Sequence, residues 1–129
     1  MWVFAHDVLL DGTSTAAYRG SLDQVLGSLQ RIHARVFIAD VPNLRIFPSG
    51  YLPDPTARAG YVRTGRAFNS AIATVALRRG AVVVDLYAAT KLLYPHPEYY
   101  VPSFGRANAR GCAALANIFY RVMHSHHAL

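Results

Sequence analysis

The stretch RRGAVVVDLY, residues 78–87, constrains the fold more than any other part of the sequence. Gly80 follows the last turn of a helical pattern, and glycine is a typical helix stop because it adopts the left-handed conformation at little cost. The next residues, 81–87, are apolar without alternation, which predicts a strand covered on both faces. Strands of this kind belong to parallel sheets with helices packed on them, so this stretch indicates an α/β domain.

Strand and helix patterns alternate along the chain. Runs of β-branched and aromatic residues indicate strands, and apolar residues three and four positions apart indicate helices. The resulting order, β-α-β-α-β-α, predicts parallel strands joined by right-handed crossovers. The predicted strands are 2–5, 35–41 and 81–87, and the predicted helices are 12–34, 58–80 and 106–123.

Length and hydropathy predict one domain. A chain of 129 residues is enough for a single core, and its hydrophobic content of 53% excludes a disordered chain. We assign residues 1–123 to one domain and residues 124–129 to a flexible C-terminal tail. No apolar run approaches the roughly 20 residues of a membrane span. The first residues lack the basic region of a signal peptide, which predicts a cytoplasmic protein.

The chain is basic, with a formal net charge of +6 and a sequence pI of about 9.9. All 13 basic residues except Lys91 are arginines, and they are scattered without interleaved aromatic residues. Nucleic-acid binding needs clustered positive charge or an aromatic stacking platform, so the pattern argues against it. The single cysteine, Cys112, excludes an internal disulfide and fits a reducing compartment.

Four blocks of the sequence are similar to blocks of the GDSL/SGNH hydrolase superfamily, over roughly residues 2–123. They read WVFAHDVL, RVFIADVPNL, FNSAI followed by RRGAVVVDLY, and HPEYYVPSFGRANARGCAALANIFY. The resemblance implies a three-layer, flavodoxin-like α/β/α sandwich with a short parallel sheet, and serine-dependent hydrolysis of an ester. The family's nucleophile block and first two strands have no counterpart, so the resemblance also implies a chain truncated at its N-terminus.

The catalytic positions of that family can be matched residue by residue. Its mechanism needs a histidine that takes the proton of the serine nucleophile and an aspartate that orients the histidine. The aspartate's position is Ser103 here, and the histidine's position is Arg106. Arginine stays protonated and cannot act as a base, and serine supplies no orienting charge. His6 matches the asparagine that stabilises the oxyanion, and it can still donate a hydrogen bond.

The remaining positions of the family pattern are structural or absent. No G-x-S-x-G nucleophile motif occurs in the sequence; GTSTA is the nearest, and its Ser14 is predicted to cap a helix. Phe4 stands where the family has a glycine. Five other positions match, and for these the resemblance implies an architectural role: Asp7, Asn69, Asp85, Asn108 and Gly111.

Acidic residues end the predicted strands and allow two interpretations. Asp7, Asp40 and Asp85 could together bind Mg²⁺, because carboxylates are suitable ligands for that ion. Helix capping and loop hydrogen bonds explain the same residues, and we favour that interpretation. His96 and Glu98 could form an acid/base pair displaced from the family's site, although neighbouring loop residues usually face solvent.

The other histidines and the cysteine have simpler explanations. His124, His126 and His127 could bind a metal, but a frayed C-terminal tail is the favoured interpretation. His33 is predicted to place a favourable positive charge near a helix C-terminus, and Cys112 is predicted to be buried. We expect no cofactor and no metal ion.

The sequence therefore predicts, by resemblance, a serine hydrolase of a small-molecule ester that is inactive as written. The alternative is a non-catalytic module that binds a small anion at the C-terminal ends of the strands, with Arg106 and His6 as hydrogen-bond donors. The strand at 2–5 would lack its family neighbour, so self-association through that open edge is a further expectation.

Overall fold

The computed structural model describes residues 13–46, 54–99 and 107–128. Within these ranges the chain is mixed α/β and mostly helical, with a short parallel sheet of two strands. The predicted strand at 2–5 lies outside the described residues. The helices are α1 (Thr15–Arg31), α2 (Pro55–Arg79), α3 (Leu86–Leu93) and α4 (Ala109–Ser125), the strands are β1 (Phe37–Ala39) and β2 (Val82–Val84), and short 3-10 helices span Leu44–Ile46 and Pro97–Tyr99.

Polar side chains cap the N-termini of the helices. Ser14, which the sequence predicts as a cap, accepts a hydrogen bond from the backbone N–H of Ala17 at 3.1 Å. The same role is played by Asp54 before α2, Asp85 before α3 and Asn108 before α4. Each cap satisfies an N–H that has no partner inside the helix, which contributes about 1 kcal/mol. At the end of α2, Gly80 has a φ of 66°, so the predicted helix stop is confirmed.

The two strands pair in parallel, with Ile38 opposite Val83. Successive side chains of a strand point to opposite faces, so the sheet contributes to two separate clusters of buried residues. The first core cluster, which includes residues of α1 and α2, is Leu22, Leu26, Ile38, Val41, Phe68, Ile72, Val75 and Ala76. The second core cluster, which includes residues of α3 and α4, is Val84, Leu86, Leu93 and Leu115.

Helices α1 and α2 pack beside each other through an aromatic contact and an ion pair. The rings of Tyr18 and Phe68 are 4.4 Å apart, and Phe68 is fully buried. From the middle of α1, the carboxylate of Asp23 accepts two hydrogen bonds from Arg79, the last residue of α2, at 2.7 and 2.9 Å. Arg78 pairs with the same carboxylate. The apolar contact lies inside and the ion pair lies at the surface.

The largest difference from the sequence prediction is helix α3. The predicted strand 81–87 ends at Val84, and a helix begins where we expected the strand to continue into a loop. The cause is local, because the carboxylate of Asp85 accepts a hydrogen bond from the N–H of Ala88 at 2.7 Å and so starts a helix. Leu86 and Leu93 then fall on one face of that helix, and both are buried in the second core cluster.

Helix α4 also differs from its predicted bounds. It begins after Asn108, which caps it, and it continues to Ser125, so it includes the first two residues of the predicted tail. The flexibility of residues 124–129 stays a prediction. No helix in the described part of the chain is long and apolar enough to cross a membrane.

Candidate functional site

The carboxyl ends of β1 and β2 lie at the same edge of the sheet, because the strands are parallel. Asp40 follows β1, and its N–H donates to the carbonyl of Val84 at 3.2 Å. Its side-chain Oδ1 accepts the N–H of Tyr87 at 2.9 Å, while Asp85 accepts that of Ala88. Two carboxylates therefore hold the first turn of α3, where unpaired N–H groups and the helix dipole favour negative charge.

The chain that leaves β1 is fixed by polar side chains from two helices. Asn69 of α2 accepts from the N–H of Val41 at 2.7 Å and donates to its carbonyl at 2.9 Å. Thr90 of α3 is 2% exposed; its hydroxyl accepts from the N–H of Asn43 at 2.9 Å and donates to the carbonyl of Leu86 at 2.6 Å. These bonds satisfy backbone groups that the sheet does not pair, which fixes the loop after β1.

Burial changes the acidity of the Asp40 carboxyl at the strand ends. It raises the pKa of Asp40 to about 6; the hydrogen bond from Tyr87 opposes the shift and the nearby charge of Asp85 adds to it. Asp40 therefore takes up a proton in mildly acidic solution, where an exposed aspartate stays ionised. The capping role predicted for Asp85 is confirmed.

The magnesium hypothesis depends on a residue that the structure does not describe. It requires Asp7 beside Asp40 and Asp85, and Asp7 lies outside the described residues. Across residues 13–46, 54–99 and 107–128, no group of three histidine, cysteine, aspartate or glutamate side chains is placed to hold a metal ion.

His96 and Glu98 lie in the segment that follows α3, and they contact each other. His96 Nδ1 is 2.8 Å from Glu98 Oε1, and the two side chains are 44% and 45% exposed. The imidazole also stacks on the ring of Tyr99, with centroids 4.6 Å apart and planes 22° from parallel. The pair thus has the geometry of a base with an orienting carboxylate, open to solvent on its other side.

The segment that carries this pair is held against the start of α4. Asn108 donates its side-chain Nδ2 to the carbonyl of Glu98 at 2.7 Å, and its backbone N–H to the carbonyl of Tyr99 at 2.9 Å. Gly111 lies against the carbonyl of Tyr99 so closely that a Cβ there would overlap it. The architectural roles that the resemblance implies for Asn108 and Gly111 therefore have a physical basis in these contacts.

The three positions matched to the family's catalytic groups, Ser103, Arg106 and His6, lie outside the described residues. The structure places the flanks of the first two. The backbone hydrogen bond between Tyr99 and Asn108 joins the residues on either side of 100–107, the segment that contains Ser103 and Arg106. The assignment of these positions stays a prediction.

The C-terminal histidines occupy separate environments. His124 stacks on Tyr120 with centroids 6.0 Å apart, and His126 meets the ring of Phe37 edge-on at 6.2 Å. The carbonyl of His127 accepts a hydrogen bond from Arg35 at 3.3 Å, so the turn after α4 contacts the chain that enters β1. These contacts are structural.

Two smaller predictions concern single residues. The prediction that Cys112 is buried is wrong, because its side chain is exposed on the first turn of α4 and its thiol faces the carbonyl of Ala107 at 3.8 Å. His33 lies beyond the end of α1 in a turn, with a φ of 55°. The sequence also did not reveal the role of Thr90, which lies between the predicted strand 81–87 and the predicted helix 106–123.

Comparisons with protein-family models, with curated proteins and with solved structures found no match to this chain. The function proposed below is therefore supported by the sequence blocks and by the contacts described above.

Proposed function

We propose that this chain is an SGNH-hydrolase-like domain whose 129 residues keep the family's architecture without its serine-dependent ester hydrolysis. The observation that carries the proposal is a set of contacts made by three side chains, each at a position for which the resemblance implies an architectural role. Asn69 braces the loop after β1, Asp85 caps α3, and Asn108 fixes the segment that leads toward the family's catalytic positions. Each of these side chains makes structural contacts, in agreement with the architectural role that the resemblance implies for its position.

The proposed loss of ester hydrolysis follows from the residues at two catalytic positions of the family. Ser103 stands for the orienting aspartate and Arg106 for the general base, and neither residue can replace those functions. The sequence also contains no G-x-S-x-G motif to present a nucleophile.

A three-layer arrangement is part of this proposal. Its support is the division of the sheet's side chains between two buried clusters, one shared with α1 and α2 and the other with α3 and α4. Helices on both faces of the sheet would also explain why the strand at 82–84 is apolar without alternation.

Labelling with an alkyl fluorophosphonate tests the proposal, because this reagent reacts with the activated serine of serine hydrolases. We expect the intact mass of the treated chain to remain that of the untreated chain, while an authentic serine esterase in the same assay is labelled. A stoichiometric adduct on any serine would contradict the proposal.

Kinetics with p-nitrophenyl butyrate provide an independent test. We expect kcat/KM to lie orders of magnitude below the roughly 10⁴ M⁻¹s⁻¹ at which ordinary enzymes begin. Turnover at enzymatic rates that disappears in Arg106→Ala would show that this position does participate, and would overturn our assignment.

Binding of a small anion at the strand ends is the second candidate. One observation weighs against it in the described part: the N–H groups of Tyr87 and Ala88, at the start of α3, already bond to Asp40 and Asp85. Donation would then fall to Arg106 and His6. Thermal shift with phosphate, sulfate and acetate distinguishes the candidates: a rise in Tm that is lost in Arg106→Ala favours anion binding.

A cytoplasmic location and self-association are further parts of the proposal. The lone cysteine, which allows no internal disulfide, supports a reducing compartment. Sedimentation of the purified chain tests self-association, and a single monomeric species at all concentrations would contradict it.

A further inference from the structure

We propose that His96, oriented by Glu98, acts as a general base that hydrolyses activated esters without any serine nucleophile. The inference goes beyond the proposed function, because it assigns chemistry to a pair that the SGNH pattern does not use. It rests on the contact between the two side chains, on their support by α4, and on the accessibility of the imidazole.

The contact fixes which nitrogen of His96 can act. An ionised carboxylate can only accept hydrogen bonds, so Nδ1, which is 2.8 Å from Glu98 Oε1, carries the proton of this bond. In the neutral imidazole the lone pair then lies on Nε2. Within the described part of the chain, no hydrogen bond engages Nε2, so it is available to water or substrate.

Electrostatics keep the orienting group in the required form. The backbone N–H of Glu98 and the imidazole of His96 lower the pKa of the Glu98 carboxyl, and Arg110 contributes in the same direction. The Glu98 carboxylate is therefore ionised at neutral pH, as an orienting group must be.

The pair is held in place by the rest of the structure. Tyr99 stacks on the imidazole and restricts its ring plane. Asn108 bonds to the carbonyls of Glu98 and Tyr99, and Gly111 lets the carbonyl of Tyr99 approach α4. A fixed base–carboxylate pair favours proton transfer over the same two groups on a mobile chain, because less orientation must be achieved at each encounter.

The proposed step is balanced without any cofactor. Nε2 of His96 takes a proton from a water molecule while the water oxygen bonds to the acyl carbon of the ester. The tetrahedral intermediate then collapses with cleavage of the bond between the acyl carbon and the leaving oxygen. An activated phenol leaves as phenolate, and the imidazolium returns its proton to solvent. The products are a carboxylic acid and the phenolate.

His124 provides a matched control. Its imidazole is exposed and stacks on an aromatic ring, that of Tyr120, as the imidazole of His96 stacks on Tyr99. Among the described residues, His96 pairs with a carboxylate, that of Glu98, and His124 does not. A difference between the two variants therefore measures the orientation by Glu98 and not the presence of a surface imidazole.

The experiment measures protein-dependent release of p-nitrophenolate from p-nitrophenyl acetate by the full chain. We expect His96→Ala to lower the rate by roughly 100-fold and His124→Ala to leave it unchanged. Glu98→Gln should lower the rate and Glu98→Asp should restore part of it, because the charge is retained. The wild-type rate should show a normal solvent deuterium isotope effect that His96→Ala removes.

Both His96 and Glu98 are exposed, so these variants should fold, and a thermal melt of each variant checks this. Equal loss in His96→Ala and His124→Ala, or no loss in either, would overturn the inference. Wild-type rates in Glu98→Gln would remove the orienting role, and the absence of an isotope effect would exclude general-base catalysis. Fluorophosphonate labelling of a serine would contradict the proposed function instead, so failure of the two is distinguishable.

Discussion

Two regions of the molecule, the contact between α1 and α2 and the carboxyl ends of the strands, place an aspartate in opposite physical situations. On the side of α1 and α2, Asp23 lies at the surface, and hydrogen bonds from Arg79 and Arg78 lower the pKa of its carboxyl to about 2. At the carboxyl ends of the strands, Asp40 is partly buried, and burial raises the pKa of its carboxyl to about 6. The two arginines stabilise the ionised form of Asp23, whereas burial destabilises the ionised form of Asp40.

This contrast separates scaffold from candidate site. An ion pair at the rim of an apolar cluster, as at Asp23, stabilises helix packing and requires no ligand. A partly buried carboxyl that holds a helix N-terminus at the strand ends is costly for the fold, and perturbed groups of this kind concentrate at functional sites. The strand ends and the segment after α3 are therefore where we propose that the candidate site lies.

The largest effect on stability should come from a substitution in the first core cluster, between α1 and α2. Phe68→Ala removes a fully buried ring from the first core cluster, which should cost about 3–5 kcal/mol of unfolding free energy. Leu77→Ala, on the same helix but 86% exposed, should change little. Chemical denaturation measures both, and equal losses would show that α2 is not packed as described.

The second largest effect on stability should come from a substitution of Gly111, which lies beside the candidate site. Gly111→Ala would push a Cβ into the carbonyl of Tyr99, and relief requires the segment that carries His96 to move, at a cost of about 1–3 kcal/mol. Gly20→Ala, in α1, meets no atom within 4 Å and should instead stabilise by about 0.5–1 kcal/mol. Opposite shifts in Tm are the expected result, and shifts of the same sign would contradict the close approach of α4 to Tyr99.

The pH dependence of stability tests Asp40. Between pH 4 and 6 the folded chain holds a proton on Asp40 that the unfolded chain has lost, because the folded pKa is raised to about 6. Stability should therefore fall as pH rises through this window, by roughly 2 kcal/mol. Asp40→Asn should remove this fall and be more stable than wild type at pH 7. Parallel stability profiles of wild type and Asp40→Asn would contradict the burial of this carboxyl.

The smallest effect on stability concerns Asp23, and its pH dependence is opposite to that of Asp40. Its folded pKa is lowered to about 2, so its contribution is present above about pH 4 and is lost as pH falls through 2. Asp23→Asn should lower Tm slightly at neutral pH, and the difference from wild type should shrink as pH falls through 2. A Tm difference that grows on acidification would show that the ion pair with Arg79 is not what stabilises this contact.

How far the sequence predicted the structure depended on the range of the contacts. The cap at Ser14 and the stop at Gly80 are set by residues within a few positions, and both predictions are confirmed. Helix α3 was missed because an apolar run of this length suits a strand or a helix equally, and the cap by Asp85 was decisive.

The long-range contacts of the site could not be predicted. Asp40 bonds to Tyr87 and Thr90 to Asn43, each across 47 positions, and nothing local to either residue specifies its partner. His96 and Glu98 were recognisable as a pair, but their fixed geometry depends on Asn108, ten positions beyond Glu98.

The most direct test of the contrast between the α1–α2 contact and the strand ends is a carbon-13 NMR titration of the Asp23 and Asp40 carboxyls in one sample. Both are followed under the same conditions, so the difference between them does not depend on a reference protein. We expect Asp40 to titrate near pH 6 and Asp23 near pH 2. Titration of both groups near pH 4 would contradict the account, because the strand ends would then hold no perturbed carboxyl and would not be distinguished from the scaffold.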